Sequence, residues 1–135
     1  MGTAFVDTVA WIALANSKDS LHQKAREIFD QLWADDTKFI TSEFVLIELA
    51  NALSSVAVRA RTAQFIHSLS KASSIEIVPS STGLFHQGLR LFENRSDKAW
   101  GLVDCTSFVL MRERKVGVAF TEDHHFAQAG FTILL

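Results

Sequence analysis

Tyrosine is absent from this chain, proline and cysteine occur once each, and glycine only six times. The lone cysteine, Cys105, can close no intrachain bridge, so the fold must rest on its core. Scarce proline and glycine exclude collagen-like, low-complexity and disordered architectures. No apolar run approaches the roughly 18 residues of a membrane-spanning helix. Asp7 interrupts the first candidate segment and Glu48 the one from Phe44 to Leu53. The amino terminus has neither the basic region nor the small-residue cleavage site of a secretory signal, which predicts a cytoplasmic protein with no membrane partner. Charge of one sign is lacking too. Thirteen basic against 15 acidic residues leave a net charge of −2, so bulk electrostatics would draw the chain neither to nucleic acid nor to an anionic surface.

What is present is core material. At 135 residues and 48% hydrophobic, residues 1–135 read as a single domain with a sizeable interior. Eleven phenylalanines and three tryptophans point to filling that interior more than to stacking on bases. Short apolar runs at Ala4–Val6, Lys38–Thr41, Ile75–Val78, Val116–Phe120 and Phe131–Leu135 predict buried strands. Between them lie helical patterns. Leu21 to Trp33 follows Ser20 as a candidate cap, Phe44 to Val56 is apolar on almost all sides and predicted to be buried, and Arg59 to Lys71, Ser81 to Glu93, Asp104 to Lys115 and Asp123 to Ala129 follow. With no Asn-Gly or Asp-Gly hairpin signal, the alternation predicts a three-layer α/β/α fold around a mostly parallel sheet of about five strands. Asn94 to Lys98 is the polar loop best suited to an exposed role.

In such sheets ligands bind beyond the carboxyl ends of the strands, which makes the placement of acids informative. Asp7 follows the first strand, Asp123 follows the fourth, and Asp104 opens the helix after the polar loop. Each could equally be a helix cap, worth about 1 kcal/mol. Glu48 has no such explanation, because it sits inside an apolar helix with no lysine or arginine between Leu46 and Ala57. Four carboxylates converging without cations would repel one another, and such a cluster implies a bound hard cation, Mg²⁺ or Mn²⁺. That chemistry activates water for attack on a phosphodiester. Setting four of the 15 acids aside leaves 11 against 13 basic residues, a remaining surface compatible with nucleic acid.

Four segments carry a resemblance to a known family: Phe5-Val6-Asp7-Thr8 through Leu14, Thr41-Ser42-Glu43 through Glu48-Leu49-Ala50-Asn51, Asp97 through Asp104-Cys105-Thr106-Ser107-Phe108, and Ala119-Phe120-Thr121-Glu122-Asp123-His124-His125-Phe126. In order and spacing they resemble the PIN domain family, specifically the VapC-like toxin ribonucleases of bacterial toxin–antitoxin pairs, over nearly the whole chain. The resemblance implies that Asp7, Glu48, Asp104 and Asp123 are the catalytic and metal-binding residues, with Asp7 and Asp104 the most direct ligands of Mg²⁺ or Mn²⁺. It also implies RNA cleavage leaving a 5′-phosphate and a 3′-hydroxyl, a VapB-like antitoxin as partner, and a homodimer. Val9, where many relatives carry serine, and Gly101, where a Trp-Ser pair is common, depart from the pattern without removing an acid.

Other residues have plainer readings. Cys105 reads as a buried small residue, Asp97 as a solvated loop acid with an outer role open to it, and His124 and His125 as adjacent side chains pointing apart, solvated in a loop unless one of them contacts a phosphate. Arg59, Arg61, Lys98, Arg112, Arg114 and Lys115 could touch an RNA backbone or merely be solvated. An aspartyl-phosphate enzyme would need a second Asp where Val9 stands. The other alternative is a catalytically silent RNA- or protein-binding module on the same fold.

Overall fold

The computed structural model describes residues 2–135. Five strands, β1 (Thr3–Val6), β2 (Lys38–Ser42), β3 (Ile75–Val78), β4 (Val118–Phe120) and β5 (Thr132–Ile133), form one wholly parallel sheet in the order β3-β2-β1-β4-β5. Seven helices accompany them among the described residues: α1 (Thr8–Ala15), α2 (His22–Ala34), α3 (Glu43–Ala52), α4 (Arg59–Lys71), α5 (Thr82–Asn94), α6 (Leu102–Glu113) and α7 (His124–Gln128). Strands buried on both faces need no polar alternation, which is why their sequences read as continuous apolar runs.

The strand order positions the site. From β1 the chain winds through β2 to β3 on one side, while β4 and β5 lie on the other, so the winding reverses between β1 and β4. A crevice opens beyond the carboxyl ends of those two strands. The Asp7 amide donates to the Phe120 carbonyl at 3.3 Å, carrying their pairing to the rim of that crevice.

Phenylalanine does fill the interior. Phe5, Phe39, Phe108, Phe120 and Phe126 are fully buried, each contributing roughly 1.5–3 kcal/mol on removal from water. Phe108 meets Trp100 and Phe126 edge-on at 4.9 Å, joining α6 and α7 to the sheet beneath the rim. At Gly88 a Cβ would lie 2.5 Å from Thr106 Cγ2, so the close approach of α5 to α6 requires glycine there.

Some local expectations are corrected. Ser20 does not cap α2: Asp19 Oδ1 accepts from the Leu21 amide at 2.9 Å instead, and the helix starts at His22. Helix α3 ends at Ala52, short of Val56, and buries only Val45, Leu46 and Leu49 fully. Its neighbours α1, α4, α6 and β2 cover part of its circumference, leaving Ile47 55% exposed and Glu48 exposed beside it. Strand β4 starts two residues later than expected, since the Val116 amide still bonds the Met111 carbonyl at the exit of α6. No helix among the described residues is long and apolar enough to cross a membrane.

Candidate active site

Four chain segments bring the four acids into one cleft of about 500 Å³ at the crevice between β1 and β4. Asp7 leaves the end of β1 in extended conformation and stands at the N-cap position of α1. Its side chain makes no capping bond. Asp7 Oδ2 instead accepts from the buried Thr121 hydroxyl at 3.1 Å, and Thr121 Oγ1 in turn accepts from the Asp123 amide at 3.1 Å. One hydroxyl thus ties the ends of β1 and β4 together. A second buried relay sets the turn before Asp7: Trp11 Nε1 donates to Thr41 Oγ1 at 3.1 Å, and Thr41 donates to the Val6 carbonyl at 2.9 Å.

Asp123 caps α7, accepting from the His125 amide at 2.9 Å through Oδ1. Asp104 lies in the first turn of α6, where its Oδ2 accepts from the Gly101 amide at 3.1 Å. The capping reading therefore holds for these two as local structure and fails for Asp7. Capping uses one oxygen of each carboxylate and leaves the other outside these bonds. Glu48 reaches the cleft from α3, accepting from the Thr8 hydroxyl at 2.7 Å. Burial was the wrong reason for singling it out, because Glu48 is exposed at the rim. Its position among the other acids is what matters.

The electrostatics follow from that crowding. Asp7 is 3% exposed, and desolvation, aided by the negative charges of Asp104 and Glu48, pushes its carboxyl up to about 7 against the pull of the Thr8 amide and the Thr121 hydroxyl. Desolvation also raises the Glu48 carboxyl, opposed by Thr8 and reinforced by Asp104 and Asp123. Asp104 is raised by burial and then by Asp123, with the Gly101 amide and His125 opposing. Each of these three carboxyls is thus raised by burial and by the negative charge of neighbouring acids. The oxygen-dominated donor set matches a hard divalent cation better than a soft one.

Sequence reasoning missed three neighbours. His125 was expected to point away from His124, yet their ring centroids lie 4.5 Å apart at the start of α7. Its Nδ1 is buried, has no hydrogen-bond partner, and sits 3.4 Å from both Asp104 Oδ2 and Asp123 Oδ1. One ligand atom from each of Asp123, His124 and His125 falls within 4.8 Å of the others. Thr8 and Thr121, flanking the acids in sequence, carried no signal beyond that adjacency. Other candidates stay outside. Asp97 is drawn to Arg95 at 3.0 Å, which holds its carboxyl below the usual range, and Arg95 itself stacks 4.9 Å over Trp100. The polar loop is thereby pinned to Trp100, and the residues on either side of Trp100, Ala99 and Gly101, line the cleft. Cys105 is buried as expected, and burial pushes its thiol up to about 11, far from a nucleophile.

Comparison with known proteins identifies the family and the fold. Residues 4–132 match the PIN domain family. Over 129 residues the chain is 33% identical to the 23S rRNA-specific endonuclease VapC20 of Mycobacterium tuberculosis, in two strains, covering 94% of each chain. The crystal structure of M. tuberculosis VapC20, described as a sarcin–ricin loop cleaving toxin, superposes with a TM-score of 0.82 at 26% identity over 96% of both chains. VapBC2 from Rickettsia felis, solved bound to a promoter DNA fragment, shares the fold with a TM-score of 0.70 at 15% identity, covering 99% of this chain and 98% of that one. The chain belongs to the PIN domain family, with VapC-type proteins as its relatives.

Proposed function

We propose that this protein is a divalent-metal-dependent endoribonuclease of the VapC type, with Asp7, Glu48, Asp104 and Asp123 as its metal-binding and catalytic residues. The observation that carries this reading is the convergence of four carboxylates from four chain segments on one cleft, where burial and neighbouring negative charge raise the proton affinity of Asp7, Glu48 and Asp104 and no lysine or arginine lines the wall. A silent binding module would have no use for that repulsion.

Bound Mg²⁺ or Mn²⁺ would supply Lewis acidity and a bound water more acidic than bulk water. The chain's own residues do the rest. Asp7 and Asp104, the two more deeply buried acids of the raised set, would offer carboxylate oxygens as ligands. Thr121 holds Asp7 and the Asp123 backbone in register, and Thr8 orients Glu48 toward the cleft. Glu48 and Asp123 are placed to orient water and accept its proton. His125 lies between Asp104 and Asp123, where an Nδ1 proton would offset part of their charge.

The substrate class is RNA in single strands or loops, and by likeness to VapC20 the sarcin–ricin loop of 23S rRNA is the first substrate to test. A VapB-like antitoxin is the expected partner, and a homodimer the expected form. Phe85 and Phe92, one heptad apart on α5 and 39% and 44% exposed, supply an apolar face that a second copy would cover. The test incubates the purified protein with an RNA carrying that loop in Mg²⁺ or Mn²⁺ and, in parallel, in excess chelator. Discrete cleavage leaving a 5′-phosphate, lost on chelation, is the expected result. Undiminished cleavage in chelator by nuclease-free preparations would overturn the metal mechanism.

A further inference from the structure

An acidic cleft cannot by itself attract a polyanion, and a chain of net charge −2 has little general field to offer. Cations must hold the RNA locally. The structure sorts those that the sequence put forward. Arg114 is forked onto Glu76 by two bonds of 2.9 Å, at the far end of the sheet. Arg112 donates to the Ala129 carbonyl, Arg59 to the Ser54 carbonyl at 2.7 Å, and Lys98 lies 3.9 Å from Asp97. Arg61 and Lys115 have no such engagement among the described residues; Lys115 leads into the amino end of β4, whereas the fold brings Lys18 to the same cavity as Arg61.

Both line a cavity of about 310 Å³, together with Asn16, Ser17, Ser55 and Thr62, and no acid is among its lining residues. Neither cation is in an ion pair among the described residues. Helix α4 starts at this cavity with Val58 at its N-cap; the Arg59 amide is taken by the Ser55 carbonyl at 2.9 Å, and the positive end of the helix dipole lies at the cavity. The cavity also adjoins the acid cleft: α1 contributes Thr8 to the cleft and Ala15 to the cavity, while α3 contributes Asn51 and Ala52 respectively. Seven residues of α1 at 1.5 Å each separate the two by about 10 Å, within reach of one RNA strand.

We infer that this cavity is a phosphate subsite on the RNA path, in which Lys18 and Arg61 grip the backbone of the strand whose scissile bond lies in the acid cleft. The inference rests on the ribonuclease reading. It gives the enzyme a positive anchor beyond its negative centre and makes affinity depend on a phosphate distant from the cut.

The test measures binding of a fluorescent single-stranded oligoribonucleotide in Mg²⁺ over a series of KCl concentrations. It uses the Asp7→Asn protein, so that RNA is not consumed, with and without Lys18→Ala/Arg61→Ala. A charge-matched control carries Arg26→Ala/Lys71→Ala, and melting curves check that every variant is folded. Loss of two phosphate contacts should weaken affinity on the order of tenfold at low salt and flatten the log–log salt slope by about 1.4, at roughly 0.7 per contact on single strands. The control should match the parent. Equal affinities and slopes for the Lys18/Arg61 variant and its parent would overturn the subsite while leaving the ribonuclease reading intact if the wild type cleaves. Binding that depends on the two cations, in a protein that cleaves no RNA, would leave a phosphate-binding cavity but overturn both its place on a cleaved strand and the ribonuclease reading. Absence of RNA binding by the parent would remove the subsite.

Discussion

The two ends of the sheet treat their acids in opposite ways. At the amino end Glu76 is met by Arg114 in a two-pronged pair at 2.9 Å, and that guanidinium holds its carboxyl below the ordinary range. At the carboxyl end Asp7, Glu48 and Asp104 are all pushed upward, by desolvation and by the negative charge of neighbouring acids. The first arrangement is a mostly exposed ion pair worth about 0–1 kcal/mol. The second costs stability, and a fold tolerates that cost where the same charges have a ligand to hold. Glu76 is thus neutralised where it stands, whereas the acids at the carboxyl end are gathered with no lysine or arginine among them.

The sharpest way to break this contrast is Asp104→Asn or Asp7→Asn. Cleavage should fall by more than the roughly 10–100-fold that loss of an outer partner costs a metal site, with the metal-free melting temperature unchanged or raised. A steady-state cleavage assay paired with a melting curve checks both halves. A lower melting temperature with turnover retained would make the residue structural.

Next in size is the pH dependence of the metal-free protein. The Asp7 carboxyl moves from its ordinary 3.8 to about 7 on folding, so the folded chain binds the proton more tightly than the unfolded one. Stability from this group is therefore full below about pH 4, declines as pH rises toward 7, and is flat above, a change of order a few kcal/mol. Denaturant unfolding in chelator at pH 5 and pH 8 should show the loss, and Asp7→Asn should shrink it.

Thr121→Val is smaller. It keeps the shape of a fully buried residue but strips Asp7 of its hydroxyl donor and the Asp123 amide of its acceptor, at a cost of roughly 1–3 kcal/mol in chemical denaturation. Cleavage should fall with it. Smallest is Arg114→Ala, which should change stability by about 1 kcal/mol or less, measured the same way, and leave cleavage untouched.

How far the molecule is legible from its residues follows the same contrast. Strand positions and the parallel sheet could be read because burial on both faces leaves an uninterrupted apolar run such as Ala4–Val6. The acids at strand ends could be read because a parallel sheet aims its carboxyl edge at ligands. Helix α3 could not. Its composition suggested burial, whereas exposure depends on which neighbours reach each face, and Ile47 and Glu48 turn outward. His125 escaped because adjacency was equated with divergence, while the first turn of the short α7 brings both imidazoles together near the acids. The hydroxyls of Thr8 and Thr121 acquire meaning only when distant segments meet, 40 and 114 residues from their partners Glu48 and Asp7.

The central claim is that the carboxyl end of the sheet stores a repulsion which a divalent cation relieves. Thermal melting in chelator and in rising Mg²⁺ or Mn²⁺ at pH 8 tests it, comparing wild type, Asp7→Asn, Glu48→Gln, Asp104→Asn and Glu76→Gln. The wild type should gain stability with the cation, the three site variants should start at or above it and gain less, and Glu76→Gln should gain as much as wild type. Equal cation-induced gains in wild type and in the site variants would contradict the account.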